Sequence, residues 1–334
     1  MCRFVPEEIS LDPSFEDNRP YDTERIETVA FIYNPKAGAI RRNPSIVEKI
    51  VPALAPFGKI EIRPTTAPNT AAQIARDAIA GGARRIVAFG GDGTINETAN
   101  GVVGSDVPLV ILPGGTANCM CVETGIGKRI DRAVQRVVNE SEDARIAVGK
   151  MTPHTGAARH FLAMAGVGLD AIVASEVNLS VKAKVGKVAY WIAGFAMFGR
   201  SLPQCQAMID GAASQRSFVL ISRVRNYGGD LEIARHVGLT DDCFETVSFT
   251  GQNSLRYLPY LAGVAARFAH VLPGTAYSRA TKVSCTQVGA NRVPVQIDGE
   301  VVGELPAQFE IVPAALTLRI PRKYLERKPW TTSR

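Results

Sequence analysis

Three short clusters of glycine and polar residues have the composition of phosphate-binding loops. They are residues 34–38 (NPKAG), 90–94 (GGDGT) and 113–118 (PGGTAN). Glycine has no Cβ, so backbone N–H groups in such loops can approach a phosphate closely, and a helix that starts directly afterwards adds the positive end of its dipole. Asp92 is the unexpected member, because a carboxylate repels phosphate unless it acts through magnesium or through water. The clusters therefore predict a phosphate-binding site in which Asp92 works through a metal ion or a water molecule.

Each cluster follows a run of apolar, largely β-branched residues that is typical of a buried parallel strand. The runs are residues 28–33, 85–89 and 107–112. Residues 70–80 have apolar positions at helical spacing, with a threonine first and two glycines after them. Strands that alternate with helices predict an open parallel sheet, in which ligands bind at the carboxyl ends of the strands. Thr94 is expected to cap a helix over 95–101 and to present its hydroxyl to that ligand.

The pattern changes from about residue 159, where short strand-like segments alternate with turn residues. These segments are residues 160–165, 218–223, 246–250, 293–297, 307–312 and 316–320. The pattern predicts antiparallel strands, interrupted by helical insertions at 186–199 and 253–272. We therefore divide the chain into a flexible arm (1–25), an α/β domain (26–155), a β-rich domain (156–322) and a short tail (323–334).

Composition and charge narrow the class of protein. Of 334 residues, 46% are hydrophobic and 21% are charged, which excludes a disordered chain. The net charge of +6 suits anionic partners such as nucleotides, nucleic acid or acidic lipid surfaces, without choosing among them. The six cysteines match neither a disulfide scaffold nor a zinc pattern, so we expect reduced thiols in a cytosolic protein. We expect no signal peptide, because the first 25 residues are polar and acidic with no apolar stretch. We expect no membrane span, because the longest apolar run, 188–198, is about half the ~20 residues that a membrane helix needs.

Two better-known nucleotide signatures fit this sequence poorly. It contains no G-x-x-x-x-G-K-[ST] segment, which excludes a P-loop protein. Residues 166–171 (GVGLDA) have the glycine spacing of a dinucleotide fingerprint. They lie outside the α/β half, however, and leucine- and lysine-rich sequence follows where a ribose-binding acid is expected. The glycine clusters therefore belong to another kind of nucleotide site.

Residues 90–97 (GGDGTINE) resemble the diacylglycerol kinase catalytic domain, a family that includes bacterial lipid kinases and sphingosine kinases. Related NAD kinases share that motif alone, but further segments resemble the lipid kinases in the same order along the chain. These are residues 34–38, 113–118, 166–171, 226–229 (NYGG) and 297–300 (IDGE). The resemblance covers about residues 26–322. It implies an N-terminal α/β nucleotide-binding domain, a C-terminal antiparallel β-sandwich, and ATP- and Mg²⁺-dependent phosphorylation of a lipid hydroxyl.

The resemblance also assigns roles to individual residues. Those that it implies for nucleotide binding are Asn34, Pro35, Lys36, Ala37, Gly38, Thr65, Gly91, Asp92, Gly93, Thr94, Ile95, Asn96, Glu97 and Thr116. It implies a structural Mg²⁺ site made of the Asp242 carboxylate and the backbone carbonyls of Leu239 and Phe244. Glu300, in the IDGE turn, is implied as the general base that takes the proton of the lipid hydroxyl. Asp92 competes for that role, and the sequence does not separate the two.

Two positions depart from the family's motifs. Cys119 stands where the family has an aspartate, and Cys243 stands where a glycine usually follows the metal-binding aspartate. A neutral thiol is a poor magnesium ligand, so Glu123 or Asp92 compensates, the metal network is thinner, or activity is low or directed at an unusual acceptor. A catalytically impaired module that binds nucleotide or lipid therefore stays an alternative. An NAD kinase-like enzyme is the other, because residues 274–278 (GTAYS) faintly resemble a motif of that family.

Lipid access is predicted from two segments of the second half. Residues 181–200 place four basic residues around an apolar stretch that contains Tyr190, Trp191 and Phe195, which suits a helix at a membrane surface. A buried helix that covers the sheet explains the same pattern equally well. Residues 255–272 contribute either to that surface or to the core. We expect a cytoplasmic enzyme at the inner face of the membrane, with ATP and a lipid as partners, no nucleic acid, and a homodimer left open.

Overall fold

The computed structural model describes residues 27–176, 202–227, 231–251, 257–266 and 268–327. In its first part, strands alternate with helices. The elements are β1 (Thr28–Tyr33), α1 (Gly38–Arg42), α2 (Ile46–Ala53), a 3-10 turn (Ala55–Phe57), β2 (Lys59–Pro64), α3 (Ala71–Ala80), β3 (Arg85–Gly90), α4 (Asp92–Val102), β4 (Leu109–Pro113), α5 (Cys119–Glu123) and α6 (Ile130–Asn139).

The strands β2, β1, β3 and β4 lie side by side in that order, and each pair is parallel. Nearly every residue of β1, β3 and β4 is buried, so both faces of the sheet are covered. Continuous runs of valine, isoleucine and phenylalanine suit that position, because neither face of such a strand contacts water. The three strands lie within two residues of the predicted bounds, which confirms the parallel α/β architecture.

Beyond α6 the described chain consists mainly of antiparallel strands. The elements are β5 (Ser141–Pro153), β6 (Arg159–Phe161), β7 (Met164–Gly168), α7 (Leu169–Glu176), β8 (Gln204–Ile209), β9 (Ala212–Arg216), β10 (Phe218–Ser222), β11 (Asn226–Tyr227), β12 (Leu231–Glu232), β13 (Phe244–Phe249), α8 (Tyr257–Ala265), a 3-10 turn (Ala269–Val271), β14 (Thr275–Ala280), β15 (Lys282–Val288), β16 (Pro294–Ile297), β17 (Glu300–Glu304), β18 (Ala307–Pro321) and α9 (Arg322–Leu325).

Two sheets pack against each other in this second part. One has six antiparallel strands in the order β14-β13-β10-β7-β16-β17. The other contains β18, β15, β8 and β9, and apolar side chains of both sheets form one buried cluster. Within it the rings of Phe161 and Phe244 stack with centroids 5.6 Å apart. This arrangement confirms the predicted antiparallel β-sandwich.

The long strand β18 joins the two parts of the molecule. Its beginning pairs with β15, and further along Leu318 lies opposite Leu109 of β4 in parallel register. It pairs with β5 along most of its length, with a bulge between Val312 and Leu316. The sequence predicts two separate strands here, whereas the structure has one, because the bulge lets the chain continue along β5. One sheet therefore runs through both parts and fixes their relative position.

Several predicted segments fall outside the described residues. They include the arm at 1–25 and the basic and apolar segment at 181–200, together with its helical insertion at 186–199. Of the insertion predicted at 253–272, the structure describes α8 and the 3-10 turn that follows it. In the portion of the chain that is described, no helix is both long and apolar enough to span a membrane.

Candidate active site

The three glycine clusters lie against one another at the carboxyl ends of β1, β3 and β4. The N–H of Gly114 donates to the carbonyl of Gly90 at 2.7 Å, and the N–H of Ala39 donates to the carbonyl of Gly114 at 3.0 Å. A Cβ on Gly115 would lie only 2.6 Å from the Cα of Gly91, so the second and third loops approach at a distance that only glycine permits. The structure thus brings the three clusters together at one edge of the sheet.

The first loop is held in shape by Asn34. Its Oδ1 accepts the N–H of Lys36 at 2.8 Å, and its carbonyl accepts the N–H of Ala37 at 2.9 Å. An asparagine that binds the backbone two residues further on is a common way of fixing a tight turn. The turn leads directly into α1, which begins at Gly38.

The helix α4 begins earlier than the sequence predicts. Gly91 is its N-cap and Asp92 its first residue, so Thr94 lies within the first turn and not in front of it. The expected capping role of Thr94 is therefore wrong. Its hydroxyl instead faces the Asn34 amide, with Oγ1 and Nδ2 3.5 Å apart. The glycine at the cap explains the difference, since an N-cap needs extended backbone and Gly91 supplies it.

Asp92 connects the second loop to the third. Its Oδ2 accepts the N–H of Asn118 at 2.9 Å and its Oδ1 accepts the N–H of Cys119 at 2.6 Å. Asn118 has a positive φ of 52° and folds its amide back onto Gly115, with Oδ1 accepting the Gly115 N–H at 2.8 Å. The Asp92 carboxylate therefore anchors the start of α5, where unpaired N–H groups favour a negative charge.

A first cavity, which we name the loop cavity, opens between these loops and has a volume of about 430 Å³. Ten of the residues predicted to bind nucleotide line it: Asn34, Pro35, Lys36, Ala37, Gly38, Thr65, Gly91, Gly93, Thr94 and Glu97. Thr66, the neighbour of Thr65, also lies in its wall. Most of the predicted set is thus gathered around one space.

A second cavity, the interdomain cavity, lies between the α/β part and the β-sandwich and has a volume of about 270 Å³. Asp92, Ile95 and Thr116 line this cavity and not the loop cavity. Asn96 is not among the lining residues of either one. Its amide instead donates to Asp298 at 2.7 Å and to the His160 carbonyl at 2.9 Å, and so links α4 to the second domain.

Glu300 stands where the two cavities meet. Gly91, Gly93 and Glu300 line both of them. A Cβ on Gly93 would overlap the Glu300 carboxylate, so this carboxylate lies directly against the glycine loop. The Arg159 guanidinium lies close by, with Nη2 3.9 Å from Glu300 Oε2. Glu300 thus reaches the glycine loop of residues 90–94 from the β-rich part of the molecule.

The turn that carries Glu300 is fixed by Asp298. Asp298 and Gly299 both have positive φ, 47° and 88°, which is the conformation of a tight two-residue hairpin turn between β16 and β17. The Asp298 carboxylate accepts the N–H groups of Leu162, Ala163 and Met164 at 2.8 to 2.9 Å. Asp298 belongs to the IDGE motif, but the resemblance implies no role for it. Its position before glycine in a hairpin turn is the signal that would have indicated one.

Three further polar residues form one wall of the interdomain cavity. Asp170, at the start of α7, is 2% exposed and accepts hydrogen bonds from the hydroxyl of Tyr227 and from the Gln296 amide, the latter at 2.6 Å. Burial raises the pKa of Asp170, while these two hydrogen bonds oppose the shift. The Oε1 of Gln296 accepts the N–H of Gly299 at 2.7 Å. This wall is therefore connected to the turn that holds Glu300.

Cys119 lines the interdomain cavity next to Asp92. Glu123, one of the two acids expected to compensate for the aspartate missing at position 119, is directed elsewhere. It is 2% exposed, and it accepts the Asn226 amide at 2.7 Å and the Tyr324 hydroxyl at 3.0 Å. Compensation by Glu123 is therefore wrong, because both of its oxygens serve contacts to β11 and α9.

The predicted structural metal site lies on the loop before β13. The Asp242 side chain is exposed, Phe244 is buried, and the Leu239 carbonyl accepts a hydrogen bond from Arg223 Nη2 at 2.9 Å. Burial lowers the pKa of Arg223 to about 10, so the guanidinium is charged at neutral pH. Within the described ranges, no group of three or more histidine, cysteine, aspartate or glutamate side chains could hold a metal ion.

Two family models match the chain one after the other. The diacylglycerol kinase catalytic domain matches residues 28–151. The YegS C-terminal NAD kinase beta sandwich-like domain matches residues 163–320. The first match contains the loop cavity apart from Glu300, and the second contains Glu300 with Asp170, Tyr227 and Gln296. The glycine loops therefore lie in the matched catalytic domain, and Glu300 lies in the matched C-terminal domain.

Relatives and a solved structure agree with these matches. A diacylglycerol kinase of Mycobacterium tuberculosis is 28% identical over 250 residues, which is 73% of this chain and 79% of that protein. A diacylglycerol kinase of Staphylococcus carnosus is 28% identical over 240 residues, which is 67% of this chain and 72% of that protein. The fold is shared with the crystal structure of a diacylglycerol kinase from Bacillus anthracis, with a TM-score of 0.70 over 90% of this chain and 99% of that chain at 23% identity. The chain belongs to the diacylglycerol kinase catalytic domain family of lipid kinases.

Proposed function

We propose that this protein transfers the terminal phosphoryl group of ATP to a hydroxyl of a diacylglycerol- or sphingoid-type lipid, with Mg²⁺ as cofactor and Glu300 as general base. The observation that carries the proposal is the position of Glu300, which lines both cavities and lies against Gly93. Phosphoryl transfer needs the donor phosphate and the acceptor oxygen in line with each other. Two cavities that share one wall at Gly91, Gly93 and Glu300 offer that arrangement.

The loop cavity is the site we assign to ATP. Its volume of about 430 Å³ lies within the range of small-molecule sites. Its wall combines glycine-rich backbone at three strand ends with the Lys36 side chain, and such loops bind phosphate through N–H groups and positive charge. The family of the chain supports the same donor, since it consists of kinases.

The interdomain cavity is the site we assign to the polar end of the lipid. Ile95, Met120 and Leu162 supply apolar lining, and the linked polar groups of Asp170, Tyr227 and Gln296 line the same cavity. A lipid that bears a hydroxyl headgroup on an apolar chain matches this combination. The bulk of the acyl chains would lie outside so small a cavity and within the membrane.

Glu300 suits the role of base better than Asp92. An aliphatic alcohol is a weak nucleophile, so a carboxylate within hydrogen-bond reach must take its proton during transfer. Both oxygens of Asp92 accept backbone N–H groups of the third loop, which gives Asp92 an anchoring role. The Glu300 side chain is 45% exposed and reaches the junction of the cavities from a tight hairpin turn. We therefore assign the proton transfer to Glu300 and the shape of the loops to Asp92.

The carboxylates in the walls of the loop cavity and of the adjoining interdomain cavity fit a magnesium ion that arrives with ATP. Mg²⁺ prefers oxygen ligands and usually keeps several waters, with one or two carboxylates and the phosphates completing its shell. Asp92 and Glu97 are the carboxylates that would hold it, directly or through water. When bound, the ion would neutralise charge that develops on the transferred phosphoryl group. Cys119 next to Asp92 contributes no charge of this kind as a neutral thiol.

We also assign the protein to the cytoplasm, where it would act at the inner face of the membrane. The net charge of +6 supports attraction to both ATP and acidic lipid headgroups. The segment at 181–200, which lies outside the described residues, supplies the basic and aromatic composition of a surface-binding helix. Cosedimentation with vesicles of increasing anionic lipid content tests this assignment, and equal binding to neutral vesicles would contradict it.

An acceptor panel tests the proposal. The protein is incubated with ATP labelled in the γ-phosphate, Mg²⁺, and separately with diacylglycerol, a sphingoid base, ceramide or NAD. We expect label in a lipid product. Label in NAD would replace the proposal with an NAD kinase activity, and ATP binding without label in any acceptor would replace it with a catalytically impaired binding module.

The variant Glu300→Gln tests the base, with Glu304→Gln on the same strand as the matched control. We expect kcat to fall by about 100-fold or more in Glu300→Gln, because general base catalysis contributes on that order. ATP affinity, measured by calorimetry without acceptor, should stay within about twofold, and Glu304→Gln should keep near-normal kcat. Near-normal turnover of Glu300→Gln would remove Glu300 from this role.

A further inference from the structure

The loop that the resemblance marks as a structural magnesium site already contains a cation from the chain itself. The Arg223 side chain is fully buried, and its Nη2 donates to the Leu239 carbonyl at 2.9 Å. Its Nη1 donates to the carbonyl of Asp241 at 2.7 Å and, at 3.4 Å, to that of Cys243. Three carbonyl oxygens of one loop therefore point at one buried positive charge.

A guanidinium can do for such a loop what a metal ion does. Carbonyl oxygens bind Mg²⁺ and Ca²⁺, and they also accept hydrogen bonds from the five N–H donors of a guanidinium, which stays protonated in proteins. The two cations compete for the same oxygens and repel each other at this short range. The Leu239 carbonyl, one of the three ligands implied for magnesium, is bound to Arg223, while the Asp242 carboxylate is exposed.

We propose that Arg223 takes the place of the structural magnesium ion and closes the loop of residues 237–244 as a built-in cation. The remaining contacts of the loop need no metal. The Asp241 carboxylate accepts the Gly238 N–H at 2.8 Å and the Arg279 guanidinium at 3.2 Å. The catalytic magnesium that accompanies ATP is a separate ion, so the proposal holds whichever lipid is the acceptor.

The closed loop is connected to the candidate active site. The Leu239 N–H donates to the Tyr324 hydroxyl at 3.0 Å, and that hydroxyl donates to Glu123 at 3.0 Å. Glu123 in turn accepts the Asn226 amide at 2.7 Å, and the next residue, Tyr227, lines the interdomain cavity. Closure by Arg223 therefore supports the wall of that cavity through a continuous series of hydrogen bonds.

The first experiment measures thermal unfolding of the full chain without nucleotide, in EDTA and then in increasing MgCl₂ or CaCl₂. A ligand that binds the folded state alone raises the melting temperature in proportion to the logarithm of its concentration. We expect changes below about 1 °C, the same in wild type and in Asp242→Asn. A rise of several degrees that Asp242→Asn abolishes would overturn the proposal, because it would show a metal held by that carboxylate.

The second experiment compares Arg223→Met with Arg279→Met, which removes a partly exposed cation from the same loop. We expect the melting temperature to fall by about 5–10 °C in Arg223→Met, since three carbonyls of the loop, two of them in buried hydrogen bonds, lose their donors, and by about 2 °C or less in Arg279→Met. The melting temperature of Arg223→Lys should lie between those of wild type and Arg223→Met, because a lysine provides the charge without the planar guanidinium. Equal effects of the two methionine variants would contradict the proposal. If Arg223→Met does not fold, the metal titration of the wild type and of Arg223→Lys still decides.

Discussion

Two turns meet at the cleft, residues 91–93 and residues 298–300, and each contains an aspartate beside a glycine. Asp92 accepts the N–H groups of Asn118 and Cys119, which lie 26 and 27 positions further along the chain in the same domain. Asp298 binds N–H groups 134 to 136 positions away and the amide of Asn96, 202 positions away in the other domain. The first turn is thus a local structure, whereas the second is held by contacts that span the molecule.

In both turns, different residues anchor the backbone and border the place of the proposed reaction. In each turn the aspartate binds backbone N–H groups, and neighbouring residues line both cavities: Gly91 and Gly93 in the first turn and Glu300 in the second. The interdomain hydrogen bond from Asn96 to Asp298 fixes the two turns relative to each other. A general base must be within hydrogen-bond reach of the proton that it takes. The proposed reaction therefore depends on the fixed relative position of the two turns.

Of four substitutions in or next to these turns, we expect the largest fall in kcat from one at the contact between the two turns. Gly93→Ala places a methyl group where the Glu300 carboxylate lies, so the carboxylate must move away from the loop. We expect kcat to fall by about 100-fold, with a melting temperature within about 2 °C of wild type. Gly303→Ala on β17 is the control, since a Cβ there meets nothing within 4 Å. Activity of Gly93→Ala within threefold of the control, about 0.7 kcal/mol, would show that the contact is unimportant.

The anchor of the second turn should come next. Asp298→Asn replaces a carboxylate oxygen, which accepts N–H groups, by an amide that donates, so N–H groups of residues 162–164 or of Asn96 lose their acceptor. Each lost acceptor costs about 1–3 kcal/mol. We expect the melting temperature to fall by about 5 °C or more and kcat by about 10-fold or more. Unchanged kcat in a destabilised variant would mean that Glu300 keeps its place without this anchor.

The anchor of the first turn should matter less for stability. Asp92→Asn disturbs two N–H donors instead of four, so we expect the melting temperature to fall by about 2–4 °C. Asp92 also lines the interdomain cavity, and we expect kcat to fall by about 10-fold and the apparent magnesium requirement to rise. A larger loss of stability in Asp92→Asn than in Asp298→Asn, measured side by side by calorimetry, would reverse the comparison.

The smallest effect is expected beside the first turn. Cys119→Asp introduces the acid that the family resemblance implies at this position, in the wall of the interdomain cavity next to Asp92. We expect activity to be retained or raised by up to about threefold, most clearly at low Mg²⁺, because a carboxylate is a better magnesium ligand than a thiol. Complete loss of activity would show that the thiol itself has a specific function.

Several features were predictable because their signals are local. The strands β1, β3 and β4 follow from continuous apolar runs, and α3 follows from helical spacing that ends at two glycines. The glycine clusters fall at strand ends, and parallel strands place such ends at one edge of a sheet. These inferences require only residues that are close in the sequence. The capping role of Thr94 was also a local prediction, but it was wrong. Both glycine and threonine are common N-cap residues, and the sequence does not decide between them.

The sequence by itself indicated an α/β part and a β-rich part, their classes of sheet and ten of the residues that surround the loop cavity. Only the tertiary structure decided that β18 joins the sheets, that Asn96 binds Asp298, that Glu300 reaches Gly93 from the other domain, and that Arg223 fills the loop before β13. Local propensity and hydrophobic periodicity carry information over a few turns of helix or one strand. Contacts between residues that are far apart in the chain depend on how the completed sheets pack, and the chemistry of this site depends on those contacts.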